Sequence, residues 1–353
     1  MNSAVTVVER ATRASQVALL LAVVLVIAIL TAPWWAERAT QRLLTEFLYT
    51  LALAQLWNLL AGYGGLLSVG QQAYVGIGGY CLVVLGLQAG INPFLVVPLA
   101  GLVTAVIAVP TAAVLFRLRG AYFAVGTWVV AEVFRLLVAN NASVGGGSGT
   151  SITRTVSGIP MWWRESITLW IALALGVGTT LGVYLLLRSR HGLALTAVRD
   201  SEPAAESLGI SVSRVKWLVY VGAAAGCGMV GALIFITKLR ISPEAAFSMD
   251  WTAMMFFVVI IGGIGTIEGP IIGALIYFLL REYLSDYGSG YLIVLGVVAV
   301  GVMLWFPRGV WGLVAGRFDL HLFPVQRRLR RLPDRDAGPV ADGADTKVPQ
   351  RAV

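Results

Sequence analysis

The chain has 353 residues, of which 58% are hydrophobic and only 12% charged, and its mean hydropathy is +0.82. Soluble domains carry about 25% charged residues, so a chain this long with so few has too little polar surface to be a soluble globular protein. The net charge of +8 does not point to nucleic acid, because much of it gathers near the C-terminus (Arg327, Arg328, Arg330, Arg331, Arg335, Lys347, Arg351) with acidic residues interspersed.

Taken in chain order, the apolar stretches run over 17–33, 43–61, 73–89, 94–116, 121–139, 167–187, 215–237, 251–265, 270–284 and 290–306. A helix needs about 20 residues to cross a bilayer, and several of these fall short. They predict an all-α polytopic membrane protein with about ten transmembrane segments. Residues 1–16 read as a cytoplasmic N-terminus, 17–316 as the transmembrane domain and 317–353 as a basic, unstructured cytoplasmic tail. The first stretch follows Arg10 and Arg13 but runs into Pro33-Trp34-Trp35 rather than a small-residue cleavage pattern. It therefore reads as a retained span with an interfacial aromatic anchor rather than a signal peptide.

With both termini inside, the cytoplasmic loops hold Arg117, Arg119, Arg188, Arg190, Arg199, Arg214 and Lys216, while the outer connections hold fewer basic residues, among them Arg38, Arg42, Arg154 and Arg164. That asymmetry follows the positive-inside rule.

Residues 62–80, GYGGLLSVGQQAYVGIGGY, and 262–273, GGIGTIEGPIIG, are too glycine-rich for straight helices. One reading is close helix packing through small pairs such as Gly64/Ser68 and Gly269/Gly273. The other is a broken span beside the solute pathway, because irregular backbone at membrane depth survives only inside protein or along a watery cavity. On that second reading Gly62, Tyr63, Gly65, Ser68, Gln71, Gly262, Gly263 and Gly265 become gate or pathway candidates. Ten spans divide into five plus five, and each half carries one such segment, as in duplicated transporters.

Between them, Glu132 and Arg135 lie three apart in the apolar stretch 121–139. They form either a local ion pair that fixes packing or part of the pathway, since charges at membrane depth face a bundle or a cavity. The following VGGGSGTS, with Gly145, Gly146 and Gly147, suits a gate, a contact with another protein or a plain turn.

The loop 188–214 predicts a short helix, capped by Asp200 or Ser201, with Pro203 in its first turn and Gly209 at its end. Ala204, Ala205 and Leu208 share one face and Glu202 and Glu206 another, which suits either a docking surface or a solvated amphipathic loop. No catalytic constellation accompanies it. The two histidines, His191 and His321, stand apart, so no metal site is expected. None of Lys216, Lys238 and Lys347 follows a glycine, so the phosphate-binding G-x-x-x-x-G-K-[ST] is missing and no cofactor is expected on this chain.

AVRD followed by EPAAESLGI resembles the E-A-A-x-x-x-G-type coupling loop of bacterial ABC importer permeases, with Pro203 as a departure. NLLAGYGGLLSVGQQAYVGIGGY (58–80), GAYFAVGTWVVAEVFRLLVANN (120–141), VGGGSGTS (144–151), SRHGLALTAVRDSEPAAESLGI (189–210) and GGIGTIEGPIIGA (262–274) resemble, in order, the LivM-type permeases of branched-chain amino-acid importers. The resemblance implies a multi-pass protein of the bacterial inner (plasma) membrane that forms half of a translocation pathway for branched-chain amino acids or a related small polar solute such as urea. It implies a second, related permease, two ATPase subunits that bind ATP, and an extracytoplasmic solute-binding protein. It makes Arg199, Asp200, Glu202, Ala204, Ala205, Glu206, Leu208 and Gly209 the ATPase-docking coupling segment. The competing reading is an ion-gradient-driven secondary transporter, which calls for unpaired acids near the bilayer midplane.

Overall fold

The structure is a computed structural model that describes residues 6–9, 13–284, 290–306, 309–318, 322–323 and 328–331. Helices dominate it. In order they are α1 (Arg13–Trp35), α2 (Arg38–Asn58), α3 (Gln72–Cys81), α4 (Pro93–Leu115), α5 (Ala121–Ala139), α6 (Met161–Arg188), α7 (Arg190–Asp200), α8 (Glu202–Ser207), α9 (Val212–Lys238), α10 (Pro243–Ala246), α11 (Met249–Gly262), α12 (Glu268–Leu284), α13 (Gly290–Trp305) and α14 (Gly309–Phe318). Wide π-helical turns extend α2 over Leu59–Tyr63 and α3 over Leu82–Gln88. Strands among the described residues are short: β1 (Thr6–Glu9) pairs with β4 (Arg328–Arg331), and β2 (Thr150–Ser151) with β3 (Arg240–Ile241), both antiparallel. Most of the segment 317–353, expected to be an unstructured tail, lies outside the described residues.

All ten apolar stretches are helical along most of their length. Among the described residues, eight helices are long and apolar enough to cross a membrane. The two shorter ones, Gln72–Gln88 and α12, each follow a glycine-rich segment that takes up part of the length a full span would need.

The buried centre is formed by α2 and α9, each with 78% of its apolar window buried, against 17% for α1 and α5. α9 packs between α3 and α4, and α2 lies against α6, α9, α11 and α12. Small residues permit the tightest crossing. A Cβ on Gly78 of α3 would fall 2.7 Å from the Cα of Gly228 on α9, so the two backbones touch there.

The bundle has two ends. On the loop side lie α7, α8 and the α4–α5 turn. On the opposite side a tryptophan cluster marks an interfacial belt. Trp162 and Trp170 of α6 donate to the carbonyls of Pro33 and Leu30 on α1, at 3.3 and 3.0 Å. Arg38 and Arg42 both pair with Glu165, at 3.7 and 3.0 Å, so the basic residues at that end are partly neutralised.

Candidate functional site

The two glycine-rich segments and the 188–214 loop, far apart in sequence, meet at one junction on the loop side. Each partner arrives there for a local reason. The helix α2 widens at Leu59–Tyr63 and then gives way to non-helical backbone through Gly70. Gly65 sits at φ 65°, a left-handed conformation that favours glycine. The helix α11 stops at Gly262, and a turn with Gly263 at φ 131° and Gly265 at φ 76° reverses the chain into α12. Gly263 and Gly265 are therefore needed for the reversal itself. Gly262, Gly269 and Gly273 serve packing, because a Cβ on Gly262 would meet the backbones of the other two.

A turn packed inside the bundle leaves N–H and C=O groups without a helical ladder, and buried backbone groups must find other partners. Two buried amides of α2 supply them. Asn58 accepts from the Gly265 N–H at 2.8 Å and donates to the Thr266 carbonyl at 2.8 Å. One turn earlier, Gln55 donates to the Ile267 carbonyl at 2.8 Å. The Thr266 hydroxyl accepts from the Gly269 N–H at 3.0 Å, which ties the start of α12. Gly62 lies directly beneath, and a Cβ there would stand 2.6 Å from the Gly265 nitrogen.

The first break is held differently. Trp57 of α2 donates to the Ser68 carbonyl at 2.8 Å, and Thr127 of α5 accepts from the Val69 N–H at 3.0 Å. Gln71 donates to the Ser68 hydroxyl at 3.2 Å and accepts from the Cys227 thiol of α9 at 3.6 Å. Thr252 of α11 accepts from the Gln72 N–H at 3.3 Å and donates to the Gln72 side chain. Gly64 and Ser68 are not a helical packing pair, because residues 65–70 are not helical. Residues 62–80 thus combine a break in the helix over 65–70 with close small-residue packing at Gly78, and 262–273 likewise combines a break with glycine packing.

Arg199 joins this junction to the loop. Its Nη1 donates to the Gly62 carbonyl at 3.0 Å, while Nε donates to Asp200 at 3.0 Å. Gly65 packs under its side chain, where a Cβ would lie 3.3 Å from Cγ, and Gly265 approaches Nη1, with a Cβ at 3.7 Å. The helix that presents Arg199 was not expected from the sequence. α7 is capped by Ser189, which accepts from the His191 N–H at 3.2 Å, and buries Gly192, Leu195 and Val198. That cap and the three-residue spacing were the signal that could have found it.

α8 follows the expected capping. The Ser201 hydroxyl accepts from the Ala204 N–H at 3.4 Å, Pro203 stands in the first turn and Gly209 closes the segment at φ 78°. The expected shared face is corrected in one residue. Ala204 and Leu208 are exposed, Leu208 at 76%, but Ala205 is buried against Val198 and Val212. A six-residue helix pinned by flanking turns must bury one side, and the side turned to Val198 and Val212 is that of Ala205. Glu202 is drawn to Lys216 of α9, which leaves Glu206 as the fully outward carboxylate.

The remaining candidates lie elsewhere. Tyr63 is buried at the end of the wide turn. Glu132 and Arg135 form a forked ion pair on α5, with Arg135 Nε at 3.0 and 2.9 Å from the two carboxylate oxygens. Gly145 and Gly146 adopt positive φ in tight turns beyond α5, and Gly147 is exposed beside them. Gln55, Asn58, Thr127 and Thr252 were missed, although polar residues inside apolar stretches are a warning at membrane depth.

A many-span helical bundle with two broken spans, joined through one arginine to an external helical loop, is the architecture of a transport permease. Residues 39–306 match the family described as branched-chain amino acid transport system / permease component, and the chain belongs to that family. It is 29% identical over 303 residues to the high-affinity branched-chain amino acid transport system permease protein LivM of Salmonella typhimurium, covering 79% of this chain and 71% of the relative. The Escherichia coli LivM protein is 28% identical over 305 residues, with the same coverage. A probable branched-chain amino acid transport permease protein LivH of Methanocaldococcus jannaschii is 28% identical over 144 residues, 38% of this chain and 44% of the relative. No solved structure matches. The chain is a multi-pass inner-membrane permease subunit of an ABC importer, and ATP hydrolysis belongs to separate subunits.

Proposed function

We propose that this chain forms one half of the translocation pathway for branched-chain amino acids, with a second related permease as the other half. Two ATPase subunits dock on the cytoplasmic loops of the pair, here on the exposed side of α8 at Ala204, Glu206 and Leu208, and an extracytoplasmic binding protein delivers solute at the opposite end, near the Gly145–Gly147 turns. The loop side is the cytoplasmic side. The relatives named for branched-chain amino-acid transport support the solute, and the likeness to both LivM and LivH supports the pairing.

The Arg199–Gly62 bond carries the mechanism. Closure of the ATPase dimer displaces α8 and, through their shared cluster at Val198 and Ala205, α7. Arg199 passes that displacement to the end of α2, and Asn58 passes it on to the 263–267 turn. The second break thus shifts against the first, and that exchanges outward for inward access.

The test is uptake of L-leucine into proteoliposomes. This chain with its partner permease, ATPases and binding protein should import it when supplied with ATP. Gly209→Asp, which forces a side chain onto a left-handed backbone at the docking surface, should abolish uptake and weaken ATPase co-purification while the chain still inserts. Arg199→Ala should abolish uptake with the ATPases still bound. Gradient-driven uptake by this chain alone would overturn the reading.

A further inference from the structure

A second feature at the opposite end has no part in that coupling route. Between α5, the first turn of α3 and the α10–α11 corner lies a cavity of about 330 Å³, within the range of roughly 300–1,000 Å³ typical of small-molecule sites. Its polar part is made by Glu132 and Arg135 of α5, Glu244 of α10 and Gln72 at the start of α3. Trp128, Phe247 and Met249 supply an apolar wall.

Three observations give this cavity a ligand chemistry. First, the Glu132 and Arg135 side chains are 42% and 32% exposed on a membrane-spanning helix. Charged groups turned to hydrocarbon are costly, so this face meets water or protein rather than lipid. Secondly, the guanidinium is only partly used. Nε and one Nη2 proton serve Glu132, and the remaining N–H groups have no acceptor among the described residues. Thirdly, Glu244 is exposed at the same cavity and makes no hydrogen bond or ion pair among the described residues. A free donor fork, a free carboxylate and an aromatic and thioether wall match an α-carboxylate, an α-ammonium and an aliphatic side chain.

We infer that this cavity is the outer solute site of the permease. It takes an aliphatic α-amino acid as a zwitterion, with the carboxylate on Arg135, the ammonium on Glu244 and the side chain over Trp128 and Met249. Glu132 positions Arg135. The inference rests on the proposed function and adds the place and the chemistry of recognition. Gln72 at the floor follows directly on the 65–71 break, and Thr127, beside Trp128, holds that break through Val69. Solute leaving the cavity therefore reaches the first break next.

The test uses the assembled importer in proteoliposomes, with L-leucine as the probe. Met249→Cys introduces an exposed thiol, while the native Cys81 and Cys227 are buried. A membrane-impermeant cationic methanethiosulfonate added from the binding-protein side should label position 249, and saturating L-leucine should slow the labelling about tenfold. Glu244→Gln, an exposed change that leaves the fold alone, should lower leucine uptake by about tenfold, with partial recovery in Glu244→Asp. No labelling from water, which would mean a lipid-facing or protein-covered surface, overturns the inference. So does unprotected labelling together with full uptake in Glu244→Gln. If the unmodified assembly imports no leucine, the proposed function fails and this inference with it. If it imports leucine and only the variants behave as wild type, the site alone is wrong.

Discussion

The two breaks in the bundle solve one problem in opposite ways. The backbone of 65–70 is non-helical and, with Gln71 and Gln72 that follow it, is tied by side chains of α2, α5, α9 and α11. The 263–267 turn takes its outside side-chain hydrogen bonds from one helix, through Gln55 and Asn58 of α2, while the Gly309 backbone at the start of α14 packs against Gly263. The first is a joint bolted to the whole bundle, and the second travels with α2. On the proposed coupling route, a pull on α2 by way of Arg199 moves the second break relative to the first.

That contrast can be broken by mutation. The largest effect is expected at the contact where the two meet. Gly62→Val places a Cβ 2.6 Å from the Gly265 nitrogen against backbone that cannot yield. Overpacking of this kind costs about 1–3 kcal/mol, so ATP-driven leucine uptake should fall by up to about a hundredfold. Normal uptake would show that the breaks need not touch. Next comes Asn58→Leu, which strands one N–H and one C=O of the turn in a buried setting. Each orphan costs about 1–3 kcal/mol. Both uptake and thermal stability in detergent should drop, whereas a change in stability alone would argue against a role in coupling. The smallest effect belongs to Thr127→Val. It removes one of several supports of the first break and should cost about 1 kcal/mol, with uptake nearly retained. A loss as large as that of Asn58→Leu would mean that the first break is no better fastened than the second.

Much of this was legible in the sequence because it is local. Composition gave the membrane class, and the helix caps at Ser201 and Gly209 follow from residue chemistry within a few positions. The Glu132–Arg135 pair follows from helical spacing. The meeting of Gly62, Gly265 and Arg199 was not legible, since no periodicity links residues so far apart in the chain. The glycine content flagged irregular backbone but could not say which helices hold each break. Ala205 was misplaced for a related reason. A helical wheel assigns faces relative to one another, and only the packing of α8 on Val198 and Val212 decides which face turns inward.

The attachment of α1 has a bearing on how the protein sits in membranes of different thickness. Its described buried residues, Ile29, Ala32 and Pro33, all lie in its last turns, where Trp162 and Trp170 clamp it, and the described remainder of the helix is largely exposed. Its apolar stretch, 17–33, is about 26 Å long, a little less than a hydrocarbon core of roughly 30 Å. A short span is accommodated by local thinning of the bilayer and by flanking residues that reach the interface. Held at its last turns, α1 can follow a change in lipid thickness as a fender does, while the α2–α9 centre keeps its register.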